Sequence, residues 1–105
     1  MNSQILKGVL EGCVLAIIAR GETYGYELAS QLSAAGLDGI SEGTLYPLLL
    51  RLERKGLITS RSKPSDRGPR RKYYALTSEG RDQLQSFQDD YRCVQQAVDR
   101  LLGEG

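Results

Sequence analysis

Ser41-Glu42-Gly43-Thr44-Leu45-Tyr46-Pro47-Leu48-Leu49-Leu50-Arg51-Leu52-Glu53-Arg54-Lys55-Gly56 is the stretch on which the fold turns. Leu45, Leu48, Leu49 and Leu52 recur at helical spacing, Ser41 can cap the start and Gly56 can close the end. The spacing predicts an amphipathic helix. Pro47 falls early in it, where a missing amide costs least. With the four leucines turned inward at about 100° per residue, Gly43, Tyr46, Pro47, Leu50, Arg51 and Arg54 point away from the core.

Downstream the period changes. Leu57–Lys63 and Arg70–Leu76 read as strands, the second through its paired tyrosines, and the turn formers Pro64-Ser65-Asp66-Arg67-Gly68-Pro69 lie between them. This is a hairpin with a basic tip. Upstream, Ile5, Leu6, Val9, Leu10, Cys13, Val14, Ile17 and Ile18 predict a first helix from about Gln4 to Ala19, stopped by Gly21. Thr23 is a plausible cap for a second helix carrying Tyr24, Leu28, Ala29, Leu32 and Ala35 on one face and ending at Gly36. At the far end, Thr77 or Ser78 can cap a last helix in which Leu84, Phe87, Tyr91, Val94, Val98 and Leu101 repeat every three or four residues.

Three helices followed by a hairpin is the order of a winged helix-turn-helix, so the expected class is α+β, mainly helical. The expected division is a DNA-binding domain over 1–76 and a dimerisation helix over 77–105. From Ser78 to Leu102 the last helix has 25 residues, or about 37 Å at 1.5 Å per residue, longer than the rest of the domain is wide. A second copy is the expected cover for its apolar seam, with Leu6, Leu10, Leu84, Phe87, Tyr91, Val94, Val98 and Leu101 at the interface. A chain this small buries only about 60 to 70% of its unfolded surface, which points the same way.

Charge adds the function. The chain has 14 Lys plus Arg and 13 Asp plus Glu, a net +1, but positions 51–72 hold nine basic and two acidic residues, a net +7 that leaves −6 for the remainder. Such segregation makes one local anion-binding surface on a nearly neutral protein. The third helix suits the major groove of double-stranded DNA, where arginines can reach phosphates or guanine edges, Tyr46 a phosphate and Leu50 a thymine methyl. Arg61, Lys63, Arg67, Arg70, Arg71 and Lys72 form a cationic arm for phosphates or the minor groove. The expected DNA contacts are these six with Ser41, Gly43, Thr44, Tyr46, Leu50, Arg51 and Arg54. The rival reading is a winged-helix adaptor that offers the same basic face to an acidic protein.

Other classes are disfavoured. Histidine is absent, which removes Ser-His-Asp and Cys-His activation and most catalytic zinc sites. Neither GxGxxG nor GxxxxGK[ST] occurs, and no spacing joins Glu22, Glu27 or Asp38 into an acid-base pair. No enzyme, metal or cofactor is expected. Cys13 and Cys93 are read as reduced thiols. The longest apolar run, Cys13 to Ala19, is far short of the roughly 20 residues that span a bilayer, and the amino terminus has no secretory pattern. The expected compartment is the cytoplasm.

Leu6-Lys7-Gly8, Tyr24-Gly25-Tyr26-Glu27, Gly43-Thr44-Leu45-Tyr46-Pro47, Arg51-Leu52-Glu53, Lys55-Gly56-Leu57-Ile58, Gly68-Pro69-Arg70-Arg71-Lys72-Tyr73-Tyr74 and Leu76-Thr77 occur in that order. Together they resemble the PadR family of transcriptional regulators, in its short branch with a single terminal helix. The resemblance implies a winged-helix domain, a homodimer on a palindromic operator, usually repression, and in some members release by phenolic acids or planar drugs. Leu50 departs from the basic or polar residue often found there. The tryptophan that stacks on ligand in a drug-binding relative is also absent, while Phe87 and Tyr91 leave a small aromatic ligand open.

Overall fold

The computed structural model describes residues 3–66 and 68–103 of the 105. In chain order the elements are α1 (Ser3–Ala19), β1 (Thr23–Tyr24), α2 (Gly25–Ala34), α3 (Glu42–Arg54), β2 (Ile58–Ser65), β3 (Gly68–Leu76) and α4 (Ser78–Leu102). The strands form one antiparallel sheet in the order β1-β3-β2. The α+β, mainly helical class is as the sequence implies, and the arrangement is a winged helix-turn-helix with a long terminal helix. Among the described residues no helix is long and apolar enough to cross a membrane.

The core forms where the apolar stripes of the first three helices meet the root of the hairpin. Leu10, Val14, Leu15, Ile17 and Ile18 come from α1, Leu28 and Leu32 from α2, and Leu45, Leu48, Leu49 and Leu52 from α3, with Ile58 and Tyr74 below them. These four α3 leucines are buried while the fifth, Leu50, is exposed, so the opposite face of that helix is left to solvent. Burial of each leucine contributes about 1.5 to 3 kcal/mol, which fixes the rotational setting of α3.

Capping sets the helix ends. The Ser41 hydroxyl accepts from the Thr44 amide at 3.3 Å, opening α3. At its other end Gly56, at φ +77°, lets the Leu57 amide donate to the Leu52 carbonyl and the Gly56 amide donate to that of Glu53. That double closure turns the chain directly into β2. Thr77 then ties the hairpin's return to the same corner: its hydroxyl donates to the Gly56 carbonyl and accepts from the Gly80 amide, and its own amide donates to the Leu57 carbonyl.

Two expectations change. Thr23 does not cap α2; the preceding position of that helix is Tyr24, and Thr23 belongs to β1, paired with Tyr74. Its buried hydroxyl donates instead to Glu27 at 2.7 Å. The hairpin is also longer than expected, with pairing continuing to Ser65↔Gly68. Pro64 and Pro69 are therefore inside the ladder. After Lys63↔Arg71 the register shifts, so that Pro69 and Arg70 oppose Pro64. A bulge accommodates prolines, which have no amide to donate.

Helix α4 leaves the domain. Leu84 and Phe87 are half-buried against α1, where the Phe87 ring fills the space that a side chain at Gly12 would occupy. Further along, Tyr91 is 45% exposed, Val94 60%, Val98 43% and Leu101 87%. Leu10, expected at a subunit interface, instead lies in the protomer core, because α1 directs that edge of its stripe toward α3. Leu6 is half-buried against the same core.

Candidate nucleic-acid interface

The outward side of α3 presents Gly43, Tyr46, Pro47, Leu50, Arg51 and Arg54, all exposed. Gly43, Pro47, Leu50 and Arg54 form its outermost strip, flanked on one side by Thr44 and Arg51. On that side Thr44, Pro47 and Arg51 line a cleft shared with Lys7 and Glu11 of α1. On the other flank Tyr46 lies against Gly25, where any Cβ would come within 3.2 Å of the ring. Its hydroxyl donates to Glu42 at 3.4 Å. Desolvation, followed by the Glu42 charge, raises the phenol above its ordinary range, so it remains a hydrogen-bond donor. Ser41 and Thr44 are already hydrogen-bonded to one another through the cap.

Across a concave gap from Tyr46 stands the wing. The gap is lined by Tyr26, Glu42 and Tyr46 on the helical side, by Tyr24 of β1, and by Arg70, Arg71 and Lys72 on β3. Each wing cation there is oriented by a neighbour. Arg70 donates to the Ser62 hydroxyl and carbonyl at 3.0 and 2.8 Å. Arg71 lies 4.1 Å above the Tyr24 ring, a cation–π contact that spreads the guanidinium without neutralising it. Lys72 is 3.6 Å from Glu53, whose other oxygen accepts from Ser60 at 2.6 Å, so the wing root is tied to α3.

Strand alternation separates the remaining cations. Arg61 pairs with Tyr73 and Lys63 with Arg71, which puts both on the sheet face opposite Ser60, Lys72 and Tyr74. There Arg61 donates to Glu22 through Nε at 2.8 Å and Nη2 at 3.3 Å, and Lys63 bonds the same carboxylate. The Arg61 hydrogen bond, then that of Lys63, lowers the Glu22 carboxyl to about 2. A carboxyl lowered in this way stabilises the fold fully above its unfolded value near 4.5, and loses that contribution as pH falls through about 2. A carbon-detected NMR titration should therefore give Glu22 a midpoint near 2; a midpoint near 4.5 contradicts the pairing. Arg67 lies outside the described residues.

Over residues 14–86, from mid-α1 into α4, the sequence matches the model of the Transcriptional regulator PadR-like family. The chain belongs to that family. A PadR-like transcriptional regulator from Bacillus cereus, solved by crystallography, is 48% identical and superimposes with a TM-score of 0.87 over 95% of this chain and 97% of its own. A Streptococcus transcriptional regulator is 44% identical with a TM-score of 0.86, over 97% of this chain and all of the other. A transcriptional regulator of Mycobacterium tuberculosis is 37% identical over 86% of this chain and 79% of its own length.

This PadR-like chain thus brings Tyr46, Arg70, Arg71 and Lys72 around one gap, with Gly43, Leu50 and Arg54 on the adjoining surface. Arg61 and Lys63 do not line that gap; they lie on the wing face they share with Arg71, where Glu22 holds them. Sequence reading missed Tyr24, Tyr26, Glu22 and Glu53. The alternation of β3 could have placed Glu53 opposite Lys72's face, but Glu22 and Tyr24 depend on β1, a strand of two residues with no visible period.

Proposed function

We propose that this PadR-like protein is a homodimeric, sequence-specific DNA-binding repressor that acts by occupying an inverted-repeat site. The observation that carries the reading is the gap at which Tyr46, on the flank of the exposed face of α3, meets Arg70, Arg71 and Lys72. A recognition helix in the major groove places the wing over the adjoining backbone, and a two-fold pair sets the two helices about 34 to 36 Å apart, one turn of DNA. Residues 1–76 supply the DNA-facing unit. Residues 77–105 supply the assembly helix, through the exposed apolar run Tyr91, Val94, Val98 and Leu101. Beside that run Ile5, Leu6, Val9, Cys13, Leu37, Phe87 and Tyr91 line an apolar groove between α1 and α4, with the Phe87 and Tyr91 rings stacked at 5.9 Å. A small aromatic effector held there would shift α4 against α1 and so alter the spacing of the two recognition helices.

The test is a salt titration of binding to the protein's own upstream DNA, with an unrelated duplex as control. The upstream duplex should bind more tightly at every salt concentration. Replacing Arg70 and Arg71 by Ala should weaken both complexes and flatten the salt slope by about one for each lost phosphate contact per subunit. Equal binding of the two duplexes throughout, or a variant slope that matches the wild type, overturns the reading.

A further inference from the structure

Glu22 has no place in the DNA-facing gap, yet it holds two of the wing's cations. Its carboxylate takes a forked pair of hydrogen bonds from Arg61 and a further one from Lys63. These partners are 39 and 41 residues away in sequence. The fold brings them together through β1: Thr23↔Tyr74 and Tyr24↔Tyr73 continue to Glu22 across from Ala75, on the face that carries Tyr73, Arg61 and Lys63. Thr59, Tyr73 and Ala75 complete the shallow site.

A guanidinium fork closed on two oxygens, with an ammonium beside it, is also how arginine and lysine grip a phosphodiester. The geometry points to Glu22 as an internal stand-in for a nucleic-acid phosphate, one that holds Arg61 and Lys63 away from DNA and thereby sets the protein's affinity for the phosphate backbone. Three observations support this. First, the cations are not remote from the interface: Lys63 is the direct cross-strand neighbour of Arg71, about 5 Å away at Cβ, and Arg71 lines the gap. Second, Arg61 and Lys63 are like charges two residues apart on one face of β2, and one carboxylate offsets their repulsion while leaving the trio at +1. Third, the trio is reachable by a polyanion, since the Arg61 side chain is 67% exposed and that of Lys63 36%. Lys63 also lies 4.8 Å from the Tyr73 ring, which keeps its ammonium along the wing. A regulator that must leave non-specific sites gains from such masking, because phosphate contacts carry affinity without sequence information.

The inference rests on the DNA-binding reading, so its test has one arm with DNA and one without. Full-length Glu22→Gln keeps the size of the side chain but removes its charge and replaces one of its two acceptor oxygens by an amide donor. On an unrelated mixed-sequence duplex it should bind roughly tenfold more tightly than wild type in moderate salt. Its salt slope should be steeper by about one to two per subunit, the expectation for newly freed phosphate contacts. Adding Arg61→Ala and Lys63→Ala to Glu22→Gln should cancel the gain. On a heparin column, a polyanion with no base sequence, Glu22→Gln should elute at higher salt than wild type. Glu22→Gln binding equal to or weaker than wild type with an unchanged slope overturns the inference, as does a gain that survives loss of both cations. If wild type shows no preference for its upstream DNA while Glu22→Gln still shifts on heparin, the regulator reading fails and the masking stands. A heparin elution equal to that of wild type refutes the masking by itself.

Discussion

Replacing Tyr91 and Val94 together by Glu should convert the protein to single chains and reduce binding to its inverted-repeat site by about 10² to 10⁴-fold, the contribution of linking two modest half-site interactions. The two positions are 45% and 60% exposed on a helix whose inner end is anchored by Leu84 and Phe87 against α1. They sit where the anchored part gives way to the exposed part, which is where the proposed homodimer would bring a partner's helix. Four carboxylates in a two-fold seam face one another across a surface that offers no cation among Val94, Val98 and Leu101. The protomer core does not depend on either residue, so the separated chains should remain folded. Light scattering checks the mass and circular dichroism the fold; a variant that retains the mass of two chains contradicts the assembly.

Gly80→Ala should remove about 3 kcal/mol or more and lower Tm by more than about 10 °C, at the upper end of what inserting one methyl costs. A Cβ at Gly80 would come within 2.1 Å of the Leu57 carbonyl oxygen and 2.8 Å of Leu76 Cδ1. That oxygen cannot give way cheaply. It accepts from the Thr77 amide at 3.1 Å and belongs to the short turn joining α3 to β2. The corner through which α3, the wing and α4 are held together must therefore open. Gly8→Ala is the matched control, because nothing lies within 4 Å of its Cβ and α1 gains helix propensity there. Thermal unfolding of both variants decides the matter, and a Gly80→Ala melt within a degree or two of wild type refutes the packing described.

What could be read in advance follows from the range of the forces involved. The leucine stripe of α3, its Ser41 cap and the Thr77 cap of α4 are local, each settled within a turn of helix, and they stand where the periodicity puts them. The α3 face that turns outward follows from the same stripe. Strand β1 was not legible, because Thr23 and Tyr24 adopt it only through pairing with residues some 50 positions later. Before a helix, Thr is equally suited to a cap, and the local signal favoured that. The sorting of the cations was hidden for the same reason. Density of charge identified the wing as a basic element, but which cations face Tyr46 and which are held by Glu22 or Glu53 depends on register and on a bulge opposite Pro64. Prolines near a hairpin tip look like loop, and only pairing shows them inside the ladder.

In the proposed complex α3 and the wing of each protomer form one DNA-facing surface, and two such surfaces match a turn of the double helix. A cleavage-protection footprint of the full-length protein on its own upstream DNA tests it most directly. Two protected half-sites in inverted orientation are expected, with centres about 10 to 10.5 base pairs apart. A single protected half-site, or protection that falls without preference along the duplex, contradicts it.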